Sequence, residues 1–474
     1  MFPDQLNMDL VTEMTMASFI EAAKIVPRDR WMPGKKLKVL MVGYNGARNT
    51  GADVRVEAMM RQFYHVLGAE NVHFGIMTLD ASHSSIYYRP PTELIQFSSV
   101  FFRDLFGASC AHHTAVLSEG SCFKSKFANA LTTFFFGAAG IMKAQGKPCI
   151  AYGSEAGAMD DVLKGFVKHY CDQAYIISRT EPSRRIVEEL GLEGTIGTDT
   201  AWTFEPGPAA AARDLLAKHG WDGKKPVVGV AVINPFYWPV KPDLVKFLRM
   251  KMAGQKRPDN YDKWYFFSTS DERSRQFDGY LDGIAAALDA FVDRHGVFPI
   301  VIGMERLDHG PCLELQKRLK HPAPVFCSED YNGYELTAVL WQLAMLVTSR
   351  YHARVLSMPG GVASGAISMD ERLENLLMES GHLDDFYLKA GDPELGAKLP
   401  PLMEKLWAER EAVKDQILRK IPGYLHKMAL MGKEYKEFLR RYFPELVLKP
   451  DPEGILGYLP PLHPALERIM ALYG

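Results

Sequence analysis

Cysteine is scarce and scattered: six residues, at 110, 122, 149, 171, 312 and 327, with no C-x-x-C among them. That spacing argues against a zinc site and a disulfide scaffold, and it fits a reducing compartment. Long apolar runs are also missing. Leu131 to Met142 is the nearest, and it falls short of the roughly 18 residues a membrane helix needs. The first residues, MFPDQLNMDLVTEM, carry acids where a secretory signal needs bases. The expectation is a cytoplasmic chain with no transmembrane segment. An excess of charge is lacking too: Lys+Arg 55 against Asp+Glu 57 leaves a net −2, so no global field recruits nucleic acid. Neither G-x-G-x-x-G at the right spacing nor the G-K-[ST] of a Walker loop occurs. No ligand cluster suggests a metal, and no cofactor is expected.

What is present is a long α/β alternation. At 474 residues the chain exceeds one ordinary core and suggests roughly two or three domains, and its 47% hydrophobic content is ordinary for a globular protein. Residues 1–35 read as a helical N-terminal extension, with Asp9 to Ile25 helical. A βα series starts at Leu37 to Val42 and fills 36–204 as a Rossmann-like domain. The Pro/Gly segment near Phe204-Glu205-Pro206-Gly207-Pro208 opens a linker, 205–225. A second series, 226–400, starts at Val227 to Val232, runs through Tyr265-Phe266-Phe267 and Pro299 to Gly303, and reaches Leu343 to Thr348. Residues 401–474 read as a helical tail, Leu406 to Leu418 and then Lys433 to Tyr442 after Pro422, with a Pro-rich strap from Pro450. Alternation of this kind builds parallel sheets with right-handed crossovers. The prediction is two doubly wound domains facing a cleft.

Ligands of such sheets bind beyond the carboxyl ends of strands, so residues there are the candidates. Leu343 to Thr348 runs into Ser349-Arg350-Tyr351-His352-Ala353. A guanidinium offers a bidentate anion fork and an imidazole exchanges a proton near neutrality. Arg179 follows another strand, and Asp199 lies on the same sheet edge. The turn after the first strand, GYNGARNTGAD, brings Asn45, Asn49, Gly51 and Asp53 to a helix N-terminus, where free N–H groups favour anions. Two further small-residue turns carry Ser118 and Gly120, then Gly153 and Ser154. Local basic runs lie at Arg179 to Arg185 and Lys241 to Arg257.

Together these segments resemble the polysaccharide pyruvyl transferase family over residues 36 to 380. The likeness lies in GYNGARNTGAD, SEGS at 118–121, SRTEPSRRIVEELG at 178–191, GTDTAW at 197–202 and SEDYNGYELTAVLWQLAMLVTSRYHARVL at 328–356. The R-[LY]-H-A knot in the last is the most specific. The chain departs from the pattern where Ala52 separates Gly51 from Asp53, and where Asn234 stands in place of an arginine. The resemblance implies a GT-B-like fold and transfer of a carboxyethylidene group from phosphoenolpyruvate to two hydroxyls of a sugar or lipid-linked glycan acceptor. It assigns Arg179 and Arg350 to the donor's anions and His352 to acid–base work. A nucleotide-sugar glycosyltransferase and a catalytically silent binding protein of the same fold are the alternatives. Oligomerisation stays open.

Overall fold

The computed structural model describes residues 8–254 and 260–474. Residues 1–7 of the N-terminal extension, and 255–259 of the basic run from Lys241 to Arg257, lie outside the described residues. Seven parallel strands form the first sheet: β1 (Leu37–Asn45), β2 (Val72–Thr78), β3 (Glu93–Gln96), β4 (Thr114–Leu117), β5 (Cys149–Ser154), β6 (Ala174–Ser178) and β7 (Gly194–Ile196). They lie in the order β3-β2-β1-β4-β5-β6-β7. In register, Val39 pairs with Phe74 on one side and Thr114 on the other. Leu37, Val39, Leu40, Met41 and Val42 are all buried, because helices cover both faces of a parallel sheet.

In the second domain β8 (Val227–Ala231) is followed by three very short strands, β9 (Lys241–Pro242), β10 (Asn260–Asp262) and β11 (Tyr265–Phe266). The series then resumes with β12 (Phe298–Gly303), β13 (Val325–Cys327), β14 (Leu343–Thr348), β15 (Ala363–Ser368) and β16 (Tyr387–Lys389). The main sheet is parallel, in the order β13-β12-β8-β14-β15-β16. Tyr265-Phe266 does not belong to it, which corrects the sequence reading. It sits in a separate antiparallel sheet, β10-β11-β9, built on an insertion after β8. Strands of two or three residues cannot span a sheet, and Pro242 has no N–H to give a ladder.

Two other expectations change. The segment read as linker, 205–225, contains the helix Ala209–Lys218, whose Ala212 and Leu216 are buried. The first part of the tail is one helix, Leu395–Tyr442, of 48 residues, continuous through Pro400, Pro401 and Pro422, and a short helix, Pro464–Tyr473, follows it. Each proline removes one ladder bond, but Ile417, Ile421, Leu425 and Met428 are fully buried around Pro422, and that packing outweighs the loss. The long helix touches β15 of the second domain and helix Thr50–Leu67 of the first, so it ties the two together. No helix among the described residues is long and apolar enough to cross a membrane.

Candidate functional site

Strand order reverses between β1 and β4 in one sheet and between β8 and β14 in the other. The crevice at such a reversal is where a doubly wound sheet leaves room for a ligand. The turn after β1 docks there against the second domain. Thr50 N donates to Met304 O at 2.8 Å, Arg306 N to Arg48 O at 3.0 Å, and Ser328 Oγ to Arg48 O at 2.7 Å. Arg48 adopts the left-handed region, φ 53°, which turns the chain into helix Thr50–Leu67. Asn49 caps that helix, its Oδ1 accepting from Ala52 N at 3.2 Å.

Gly51, in the first turn of the helix, faces His352. A Cβ there would land on His352 Nδ1, so only glycine permits the approach. On the other ring nitrogen, His352 Nε2 lies 3.4 Å from Asp199 Oδ2. The same oxygen meets Arg179 Nη1 at 3.0 Å and Arg55 Nε at 3.1 Å. Arg179 also bonds Glu155 Oε2, and its guanidinium lies 4.5 Å from the Tyr351 ring centroid. Lys124 reaches Glu155 at 3.7 Å and Glu371 at 3.0 Å. The network thus balances three cations with three carboxylates across both domains. Burial alone would raise Asp199, but Arg55, His352 and Arg179 hold its carboxyl well below the usual range. Burial lowers the His352 imidazole, and Arg55 and Arg179 add to this against the pull of Asp199. Among the described residues, Arg179 Nε and Glu155 Oε1 are buried without a hydrogen-bond partner.

Arg350 occupies a different wall. Its Nε donates to Asp308 Oδ2 at 2.7 Å and its Nη2 to Glu305 Oε2 at 2.9 Å. Burial pushes Asp308 up to about 6, against the pull of Arg350. Both acids follow the end of β12. Arg350 opens onto a cavity of about 610 Å³ between the domains. Arg48, Arg306, Arg372, Glu119 and Asp80 line its polar side, and Phe97, Phe134, Trp238, Val240 and Tyr265 its apolar side. The last three come from the insertion after β8, which roofs the cleft. Val240 N donates to Phe127 O at 2.7 Å, and the Tyr44 and Tyr261 hydroxyls bond across the gap.

Of the residues singled out in the sequence, Arg350 and Asn49 line this cavity, while Arg179, His352 and Asp199 meet in the buried network. Two of the small-residue turns, those at Ser118 and Gly153, converge on Arg55. Ser118 O accepts from Arg55 Nη1 at 2.9 Å and Gly153 O from Nη2 at 2.7 Å. Ser118 Oγ donates to Val42 O, and Ser154 O accepts from Arg179 N. At Gly120 a Cβ would sit 2.7 Å from Arg179 Nη1. Asn45 Nδ2 donates to Met77 O. Asp53 accepts from Gly46 N at 3.1 Å and faces His83 Nε2 at 3.0 Å; burial raises its carboxyl despite both. Sequence reading missed Arg55, Glu155, Glu305, Asp308 and Arg372. Glu305 and Asp308 carried a signal, because they follow a strand's carboxyl end, and Glu155 stood in a turn already singled out. Arg55 carried none.

No family model matches the sequence, and no curated protein does. Solved structures match in shape. A UDP-N-acetylglucosamine 2-epimerase from Listeria monocytogenes aligns at TM-score 0.54 over 88% of this chain and 100% of its own, with 10% identity. HepE from Anabaena, in complex with UDP-glucose, aligns at TM-score 0.52 over 85% of this chain and 100% of its own, with 9% identity. The chain has the GT-B fold. At these identities the likeness is one of architecture.

Proposed function

We propose that this chain moves a carboxyethylidene group from phosphoenolpyruvate to two hydroxyls of a sugar, releasing phosphate and leaving a cyclic ketal. The observation that supports this best is the meeting of Arg179 from one domain and His352 from the other on Asp199 Oδ2. Two residues from His352, Arg350 opens onto the cavity. The R-Y-H-A knot and the turns at 43–53 and 118–121 are the segments resembling pyruvyl transferases. Arg48, Arg306, Arg350 and Arg372 give the cavity cations for the donor's phosphate and carboxylate. The unpaired Arg179 Nε and Glu155 Oε1 are groups a ligand can satisfy.

His352, held neutral by burial, relays the proton of the first sugar hydroxyl to the methylene carbon: as the hydroxyl oxygen bonds to C2, the C2–C3 π pair takes up that proton and the methylene becomes a methyl group. Asp199 favours the imidazolium through which the proton passes. The C2–O bond to phosphate then breaks, the second hydroxyl takes its place, and that hydroxyl's proton leaves with the phosphate. Glu119, Asn49 and Asp80 line the cavity and offer acceptors to sugar hydroxyls.

The test is phosphate release on incubation with phosphoenolpyruvate and candidate sugars. Turnover should fall about 10²–10⁴-fold in His352→Ala. Thermal protection by UDP-glucose but not by phosphoenolpyruvate would overturn the proposal in favour of a nucleotide-sugar transferase. Protection by neither, with no turnover, would leave a silent binding protein.

A further inference from the structure

Helix Leu244–Met252, on the outer side of the insertion that roofs the cleft, buries none of its nine residues. It is nevertheless well formed. Asp243 Oδ1 accepts from Lys246 N at 2.8 Å, Asp243 N donates to Trp264 O at 2.7 Å, and Lys246 Nζ lies 4.6 Å from the Phe266 ring. The exposed apolar residues are Leu244 (38%), Val245 (59%), Leu248 (47%) and Met252 (80%). With successive residues about 100° apart on a helix, Leu244, Leu248, Met252 and Val245 fall in that order around one stripe roughly 100° wide. Lys251 projects on one flank of the stripe and Arg249 on the other, and both are exposed. Phe247 and Met250 turn back towards the protein, half-buried. The segment LVKFLRMKM contains no acid.

We propose that this helix docks the protein on an anionic lipid bilayer, its stripe entering the headgroup boundary and Arg249 and Lys251 meeting lipid phosphates. An apolar stripe with a cation on each side is the pattern of a helix lying in a membrane interface, and juxtamembrane Lys and Arg are drawn to anionic lipid. Charge decides against a second copy of this chain. A two-fold contact through the stripe would set the basic flanks of one helix beside those of the other, whereas an anionic surface neutralises them. Nor does the overall charge of −2 supply any general attraction, so the binding must be local. The inner side of the same insertion brings Trp238, Val240 and Tyr265 to the apolar wall of the cavity. A docked helix therefore holds the cleft at the membrane surface, where an acceptor sugar carried on a lipid would be met.

Flotation of the full chain with vesicles tests this without donor or acceptor, and so independently of the chemistry proposed above. The vesicles are pure phosphatidylcholine, or phosphatidylcholine with roughly one third phosphatidylglycerol. The wild type should float with the anionic vesicles only, and its bound fraction should collapse between roughly 0.1 and 0.5 M NaCl. Leu248→Glu/Met252→Glu and, separately, Arg249→Glu/Lys251→Glu should each lower partitioning about tenfold or more. Because the replaced side chains are exposed, melting temperatures should stay within about 2 °C of wild type. Failure of the wild type to float, or flotation of the Leu248→Glu/Met252→Glu variant like wild type, would overturn the proposal. So would a wild-type dimer that this variant turns into monomer, since the stripe would then be a contact between copies.

Discussion

Asp199 and His352, from opposite domains, stand 3.4 Å apart, Oδ2 to Nε2. The carboxylate that faces the imidazole is also the one that holds Arg55 and Arg179. One buried oxygen therefore sets the protonation of His352, the place of Arg179 and part of the grip between the domains. An imidazole so placed is kept neutral by burial and by two neighbouring cations, with Asp199 alone favouring its charged form.

Replacing Asp199 by Asn removes that charge while keeping the shape. Arg179 then keeps Glu155 as its anion, while Arg55 is left with backbone carbonyls such as those of Ser118 and Gly153. Breaking a buried ion pair from one side costs about 3–5 kcal/mol, and urea denaturation should show a loss of that order. Any acid limb that His352 gives to the pH–rate profile should move to lower pH, because the one group raising its pKa is gone. A variant as stable as wild type would mean that the arginines do not depend on Asp199.

Gly51→Ala tests the approach of the two domains. The added Cβ falls on His352 Nδ1, and the neighbouring contacts, Thr50 N to Met304 O and Ser328 Oγ to Arg48 O, leave the helix end little freedom to retreat. Overpacking of this kind costs about 1–3 kcal/mol. Stability should fall by that amount, and hydrogen exchange should quicken at the amides of Thr50 and Arg306. Unchanged exchange at both would show that His352 yields instead of the domain contact.

Much of this was legible in the sequence where burial writes a continuous apolar run. Leu37 to Val42 and Leu343 to Thr348 announced central parallel strands, and the residues following them announced the crevice. The edge strands β3 and β16 were not legible. Glu93–Gln96 is half-exposed along its length, as is Tyr387–Lys389, so neither presents such a run. At Pro422 local propensity pointed to a helix end, and tertiary packing overruled it. Arg55 was hidden for a different reason. Its bonds go to the carbonyls of Ser118 and Gly153, 63 and 98 residues away, and a backbone carbonyl has no signature in a sequence. Arg350 was read as a fork for the donor, whereas the acids that already occupy it, Glu305 and Asp308, come from another strand end.

Glu305→Gln should therefore sharpen the role of Arg350. Glutamine keeps an oxygen for the loop after β12 but removes one of the two negative charges on the guanidinium. If Arg350 receives the donor's phosphate or carboxylate, affinity for phosphoenolpyruvate should rise about tenfold, about 1.4 kcal/mol, as measured by calorimetry. Arg350→Met should abolish that gain. Equal affinity in wild type and Glu305→Gln would place the donor's anions elsewhere in the cavity.

The N-terminal helix Met8–Ala23 gives a prediction independent of the cleft. Met16 and Ile20 fill the notches left by Gly137 and Gly140, and this packing carries the buried Glu13 towards Asn129, which donates to Glu13 Oε1 at 3.1 Å and to Asp160 Oδ2 at 2.6 Å. Burial pushes Glu13 up to about 7, with Asp160 and Asp9 adding to this and Asn129 opposing it. Burial likewise takes Asp9 to about 6. The folded state thus keeps a proton on Glu13 up to about pH 7, while an unfolded glutamate releases it near 4.5. Between those values the folded chain holds more protons, so stability falls as pH rises through the window. The loss is complete above it. A glutamine in place of Glu13 would present the same acceptor to Asn129 with no charge to bury, so Glu13→Gln should be about 1–2 kcal/mol more stable than wild type at pH 8 and nearly equal to it at pH 4. Urea titrations at the two pH values decide the matter: a difference of the same size at both would assign the effect to packing, not to the buried charge.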